Sequence, residues 1–343
     1  MPSSRMHVAE LPTPALVVDT LALTRNLDTM TAARPGPHLR PHVKAHKCTA
    51  LARQQSDRGH HGFTAATPRE VLGLARAGLT DDLLLANESV DDARLRALAE
   101  CGARVTVAVD SEATVVAAAR NGIREVLIDV NVGIPRCGVR ADDAGALADL
   151  ARTHGLTVRG TMGYEGHAVL VADDRERSRL TDESMAILAR AHEAVGGPIL
   201  SGGGTGTYAA NTVATEIQAG SYALMDTAYA KLAIPFELAL AVVATVIHAN
   251  PKWSVADCGL KALGMDHGNP TIADADVMFC SDEHVTFSPR TPLRVGERVL
   301  VWPAHVDPTV AYHDALHLAE GPGLDADVID RWSVDLRGWN EPV

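Results

Sequence analysis

Aromatic side chains are scarce in this chain: Phe, Tyr and Trp make up 4% of 343 residues. A core with so few rings must be filled by Ala, Val and Leu, which suits the aliphatic layers inside a parallel barrel. Basic residues are in deficit too. Lys and Arg number 31 against 43 Asp and Glu, for a formal net charge of −12 without long runs of one sign. That balance argues against a nucleic-acid partner, because a phosphate backbone rewards clustered Lys and Arg. No stretch reaches the roughly 18 consecutive apolar residues that span a bilayer. Residues 1–10 lack the charged-then-apolar order of a signal peptide, so no membrane partner is expected. The five cysteines (Cys48, Cys101, Cys137, Cys258, Cys280) are scattered without paired spacing. They read as reduced thiols in a cytoplasmic protein.

What is present is a large apolar fraction, 46%, with 22% charged residues. That is enough for a barrel plus an accessory domain. From residue 14 to about 226 short apolar runs alternate with helical patterns, the mark of repeated βα units. Candidate strands fall at 15–19, 40–44, 62–66, 83–87, 104–110, 125–130, 157–163, 199–202 and 216–225. One strong helix start is Thr67-Pro68-Arg69-Glu70, with a Thr cap, Pro in the first turn and Glu three residues after the cap, and Gly78 ends that helix. Nine strands exceed an eight-stranded barrel by one, and 15–19 is the one to set aside. Lys44 then lies at the end of the first barrel strand, Gly202–Thr207 follow strand seven, and Gly220-Ser221-Tyr222 lie within or just after strand eight; the loops after these two strands are where barrels place phosphate sites. Beyond residue 235 the texture changes to short β-like stretches at 239–249, 253–257, 277–280, 284–287 and 298–302. The expected architecture is a (β/α)8 TIM-like barrel over 22–232, with 1–21 and 233–343 forming an antiparallel β domain.

Three clusters carry chemistry. In Arg40-Pro41-His42-Val43-Lys44-Ala45-His46-Lys47, neighbouring positive charge and burial would favour a partly neutral Lys44 amine, the requirement for a lysine that binds a carbonyl cofactor. In Ser201-Gly202-Gly203-Gly204-Thr205-Gly206-Thr207, backbone amides freed of side chains can face a phosphate, with the Thr205 and Thr207 hydroxyls as further donors. Gly220, Ser221 and Tyr222 offer a second phosphate corner. His305 and Asp307, read as two residues apart on a strand, would point to one face and reach one ion. An imidazole–carboxylate pair without thiolate suits Mn²⁺, Mg²⁺ or Zn²⁺, with a tilt to the harder ions. His313 and His317 read as surface residues on a helix. Together an amine, a phosphate cradle and a metal pair suggest pyridoxal-phosphate chemistry assisted by a divalent ion. Arg136, after a barrel strand, could hold a cofactor oxygen. Tyr164 could border a planar ring, and His167 could act as acid or base.

These segments resemble the D-threonine aldolase and D-serine dehydratase family, built on the alanine-racemase-like fold (fold type III) of pyridoxal-phosphate enzymes. The resemblance rests on Leu11-Pro12-Thr13-Pro14-Ala15, the RPHVKAHK segment, Leu85-Ala86-Asn87-Glu88, Arg136-Cys137-Gly138-Val139, Gly163-Tyr164-Glu165-Gly166-His167, the GGGTGTY run ending at Tyr208, Gly220-Ser221-Tyr222 with Met225-Asp226, and His305-Val306-Asp307. It implies that Lys44 holds pyridoxal 5′-phosphate. The phosphate would lie at Gly204, Thr205, Gly206, Gly220, Ser221 and Tyr222, with Arg136 and Tyr164 also binding the cofactor. His167 would be catalytic beside Lys44, and His305 and Asp307 would bind metal. The dehydratase branch typically presents His-x-Cys and zinc at this position. Asp307 instead resembles the aldolase branch with Mn²⁺ or Mg²⁺. The resemblance thus implies a homodimeric lyase that cleaves D-β-hydroxy-α-amino acids (D-threonine, or 3-hydroxy-D-aspartate) to glycine and an aldehyde. The alternative is a dehydratase giving a 2-oxo acid and ammonia.

Overall fold

The structure, a computed structural model, describes residues 6–339. The first five and last four residues of the expected β domain lie outside the described residues. The chain divides into two compact units. One runs to Thr29 and adds Ala45–Ala50 and Ser221–Asp335; the other holds Met30–Lys44, Leu51–Gly220 and the chain from Leu336 on. Among the described residues, no helix is long and apolar enough to cross a membrane.

Strand β1 (Ala15–Asp19) is followed by helix α1 (Thr20–Ala33), a run of short 3-10 turns, and α2 (Thr49–Ser56). The second unit is then built from β2 (Gly62–Ala65), α3 (Pro68–Arg76), β3 (Asp82–Leu85), α4 (Asp92–Glu100), β4 (Val105–Val109), α5 (Glu112–Arg120), β5 (Glu125–Asp129), α6 (Ala144–Thr153), β6 (Thr157–Met162), α7 (Asp174–Val195), β7 (Ile199–Gly202) and β8 (Glu216–Ile217). These seven strands pair in parallel in sequence order. The segment 39–42 joins the two sheet edges through the bridges Leu39↔Ile217 and His42↔Thr64. Arg40 and His42 donate their N–H groups to Ile217 and Ala219, while Pro41 accepts from Thr64 N on the other side. Pro41 has no N–H to give back, so this stave is two bridges and not the regular strand expected over 40–44. Lys44 therefore lies in a short 3-10 helix, Val43–Ala45, one turn past the stave. The eighth strand is likewise shorter than expected: residues Ser221–Ala223 have already turned into a 3-10 helix.

The barrel core is aliphatic. Leu84, Ala108, Leu127, Met162 and Ile199 form one buried cluster without an aromatic ring. Helix α3 begins as its sequence dictates: the Thr67 side chain accepts from Glu70 N, Pro68 opens the helix, and Gly78 follows at φ +78°. At the N-terminal ends of the strands sits a charged layer. Arg40 grips Glu216 at 2.8 Å and Asp82 at 2.9 Å, while Arg159 reaches Asp82 at 2.6 Å and Glu125 at 3.5 Å.

In the other unit, β1 pairs antiparallel with β9 (Leu240–Ala249). The remaining strands are β10 (Ser254–Ala256), β11 (Thr271–Ile272), β12 (Ala275–Cys280), β13 (Val285–Pro289), β14 (Arg298–Trp302), β15 (Ala315–Ala319) and β16 (Val328–Ser333), with helix α8 (Val306–Ala311) before β15. All nine form one sheet, antiparallel except for the pairing of β1 with β15. The strand set aside from the barrel count thus belongs here, its Ala15 and Val17 buried with Val8, Leu11, Val243 and Ala319. Two strands carry less sequence signal than the rest. His317 interrupts the apolar run of β15, and β16 is mostly exposed.

Candidate active site

In the barrel unit the sequence-predicted residues gather on the loops that follow the C-terminal ends of the strands, where barrels build their sites. The Lys44 amine, half-buried, lies 5.7 Å from the centroid of the Tyr164 ring, and the Arg136 guanidinium lies 5.7 Å from the same ring. Tyr164 is thus flanked by both cations. The loops after β5 and β6 hold one another. A Cβ on Gly166 would meet Tyr164 Cε1 at 2.5 Å and Ile134 Cδ1 at 2.7 Å, and one on Gly133 would meet His167 Cε1 at 2.7 Å. His167 is exposed, with its Nε2 3.5 Å from the Ser184 hydroxyl.

The glycine loop after β7 has an internal organiser that the sequence reading passed over. Glu165 is buried, and it accepts hydrogen bonds from Gly203 N (3.0 Å), the Thr207 hydroxyl (2.8 Å) and Asn211 Nδ2 (3.4 Å). Burial raises its carboxyl above the ordinary value, and these bonds only partly offset that. Gly204 N donates to Thr207 Oγ1. The Thr207 hydroxyl, expected from sequence as a phosphate donor, here gives its hydrogen to Glu165 and holds the loop. Gly203 adopts φ +81°, and a Cβ on Gly206 would lie 1.8 Å from the Val169 carbonyl oxygen. The loop is a close-packed backbone turn that only glycine fits, with the buried Thr205 between Gly204 and Gly206. Such a turn suits an anion that backbone amides approach directly. A lysine beside an aromatic face and a side-chain-free cradle together fit the demands of pyridoxal phosphate. Gly220, just after β8, is the last residue of this stretch of the unit.

A second group at the same strand ends combines Glu88, Asp110 and Cys137, whose donor atoms lie within 4.8 Å of one another. Asp129 is buried beside them. Burial, then the charge and hydrogen bond of Glu88, push its carboxyl well above the ordinary value. The hydrogen bond to Glu88, then burial, push the Cys137 thiol up to about 11. A small pocket here is lined by Asp129, Asn131, Arg136, Cys137 and Tyr164 among others.

In the β unit, Ser221 and Tyr222 are buried, and the Tyr222 ring packs 5.7 Å from that of Phe236. His305 and Asp307 are not on a strand. His305 is the N-cap of α8, and Asp307 is its second residue; Pro308, which lacks an N–H, is tolerated in the first turn of a helix but would break a strand ladder. Asp226, one residue beyond the 225 at which the eighth strand was expected to end, fixes that start. Its Oδ2 accepts Val306 N at 3.0 Å, and its Oδ1 accepts the amides of Ala228 and Tyr229. The side chains that converge on His305 come from a loop with no motif read in the sequence. Asp266 Oδ2 lies 2.7 Å from His305 Nδ1, and the His267 ring stacks on His305 at 3.9 Å and 12°. One donor atom from each of these three lies within 4.8 Å of the others, and Asp307 does not enter that group. Burial raises the Asp266 carboxyl, but the hydrogen bond and charge of His305 outweigh it, so it sits below its ordinary value. Imidazole and carboxylate donors without thiolate fit a divalent ion such as Mn²⁺ or Zn²⁺. His313 is part-buried, hydrogen-bonded to Ala262 O, and His317 lies in β15; neither is on a helix.

The sequence profile described as "Alanine racemase, N-terminal domain" matches residues 18–228, and that described as "Putative serine dehydratase domain" matches 239–319. A D-threonine aldolase from Arthrobacter sp is 34% identical, over 97% of this chain and 94% of its own length. A 3-hydroxy-D-aspartate aldolase from Paracoccus denitrificans (strain Pd 1222) is 31% identical, over 90% and 89%. The crystal structure of D-threonine aldolase from Filomicrobium marinum superposes with a TM-score of 0.91 at 33% identity, covering 98% of each chain. The protein belongs to the alanine-racemase-like family of fold type III pyridoxal-phosphate enzymes that includes D-threonine aldolase and 3-hydroxy-D-aspartate aldolase.

Proposed function

We propose that this protein is a lyase, dependent on pyridoxal 5′-phosphate and a divalent metal, that cleaves D-β-hydroxy-α-amino acids of the D-threonine type to glycine and an aldehyde. The observation that carries the cofactor part is the Lys44 amine set 5.7 Å over the Tyr164 ring in a barrel that also carries the glycine cradle. The aldolase part is supported by relatives of that activity that match nearly the whole chain.

In this reading Lys44 holds the cofactor through its amine, Tyr164 borders the ring, and Arg136 faces a ring oxygen. The phosphate falls to Gly204, Thr205 and Gly206 and to the corner Gly220-Ser221-Tyr222. When bound, the cofactor supplies an electron sink for the pair left on Cα. A divalent ion held by His305 and Asp307, Mn²⁺ or Mg²⁺ before Zn²⁺, supplies Lewis acidity at the β-hydroxyl. His167 takes the β-hydroxyl proton as the Cα–Cβ bond breaks, and protonation at Cα completes glycine. Five cysteines, odd in number and scattered without paired spacing, support a cytoplasmic location. Exposed apolar residues on the β unit, among them Met278, Phe279 and Trp253, support a homodimer.

The test is the visible spectrum followed by product analysis. A cofactor band lost in Lys44→Ala, with Mn²⁺-dependent glycine from D-threonine, supports the reading. A 2-oxo acid and ammonia would move the protein to the dehydratases. No band after adding the cofactor would sink it.

A further inference from the structure

We propose that Asp266 is a positioning residue for the metal: its carboxylate accepts the Nδ1 hydrogen of His305 and so presents Nε2 as the coordinating nitrogen. The proposal rests on the metal reading above.

The contact is built rather than incidental. The loop bearing Asp266 is tied to the start of α8 at several points. Gly264 and His305 form an antiparallel bridge, Gly264 N donates to the Thr309 hydroxyl at 2.9 Å, and that hydroxyl donates to His305 O at 2.6 Å. A Cβ on Gly264 would lie 2.2 Å from Pro308 Cγ, so only glycine lets the loop approach the helix this closely. His313 adds a bond to Ala262 O at 2.9 Å. These ties fix the Asp266 backbone two residues from the bridge, and the side chain completes the arrangement with its 2.7 Å contact to His305 Nδ1.

The consequence is chemical. A neutral imidazole has one nitrogen bearing hydrogen and one free lone pair, and the partner of the first decides which is the second. A carboxylate at Nδ1 selects the tautomer with Nε2 free and raises the basicity of that nitrogen, the carboxylate–histidine–metal arrangement. The His267 ring, parallel to His305 at 3.9 Å, restricts rotation of the imidazole from the other direction. Both constraints act before any ion arrives. The ordering cost is then met in folding, not in binding.

The experiment measures Mn²⁺ affinity of the cofactor-loaded enzyme without substrate, from the electron paramagnetic resonance signal of free Mn²⁺. Asp266→Ala is expected to weaken binding about 10–100-fold. Asp266→Asn, whose amide oxygen can still accept the Nδ1 hydrogen, is expected to fall between wild type and Ala. The cofactor band and the Tm of the metal-free protein should stay unchanged in both, which a merely structural role would not allow. Wild-type affinity in Asp266→Ala overturns this proposal alone. An Asn variant as weak as Ala overturns the orienting role and makes Asp266 a direct ligand. Absence of Mn²⁺ binding in the wild type overturns the metal reading itself.

Discussion

Replacing Asp82 by Asn should destabilise the barrel unit without touching its chemistry. The Asp82 carboxylate, with a side chain 20% exposed, joins two buried arginines: Arg40 at 2.9 Å, and Arg159 at 2.6 and 2.7 Å. Removing one partner of a buried pair costs roughly 3–5 kcal/mol, because the remaining charge is left uncompensated. Arg40 keeps its two bonds to Glu216, and Arg159 keeps Thr106 and a longer contact to Glu125. The loss should therefore fall at the lower end, about 3 kcal/mol. With an unfolding entropy of about 2.1 cal/mol/K per residue, that corresponds to a Tm decrease of roughly 4–8 °C, depending on whether one unit or the whole chain melts together. The pH dependence follows from the carboxyl. Burial pushes it up, but hydrogen bonds and charge from Arg159 and Arg40 outweigh this and hold it well below the ordinary value. A group depressed in the folded state contributes stability above its unfolded pKa, about 3.9, and loses it as pH falls through the folded value. The gap between Asp82→Asn and wild type should be constant from about pH 5 to 8 and close only below about pH 4. Differential scanning calorimetry across that range measures it. A variant within about 0.5 kcal/mol of wild type at pH 7 would refute the assignment of this layer to stability.

Three other outcomes follow from the site. Glu165→Gln places an amide donor where Gly203 N–H and the Thr207 hydroxyl seek acceptors, a loss of roughly 1–3 kcal/mol in chemical denaturation. Because burial raises the Glu165 carboxyl, its contribution is greatest below the unfolded value of about 4.3 and declines as pH rises toward the folded one; the Gln variant should lack that slope. Gly206→Ala forces the loop away from the Val169 carbonyl. Overpacking of about 1–3 kcal/mol should weaken cofactor retention on gel filtration about tenfold or more, and a fully retained band would contradict the cradle. Cys137, with its thiol pushed up to about 11, should react with iodoacetamide near neutral pH about 100-fold more slowly than an ordinary thiol. Glu88→Gln should speed that reaction, and mass spectrometry of the labelled peptides reads both.

Local chemistry made much of the barrel legible. Thr67, Pro68 and Glu70 specify the start of α3 through interactions three residues apart, and the aliphatic strands carry their burial in their composition. Lys44, Tyr164 and the glycine run stand out because backbone rules and reactive side chains are written in contiguous residues. The limits are equally physical. Pro41 removes one N–H, which reduces a strand to bridges only once its neighbours are known. His305 and Asp307 alternate as a strand pair would, yet they open a helix. Asp226, some 80 residues away, accepts the Val306 amide and fixes that turn. Asp266 and His267 carry no local signal at all; only the folding of their loop onto α8 brings them to His305. The sequence by itself determined the alternation of strands and helices and the aliphatic core, both of which depend on neighbours along the chain. The charged layer around Asp82, the Glu165 staple and the partners of His305 were decided by tertiary structure, because each is a hydrogen-bond balance among groups distant in sequence.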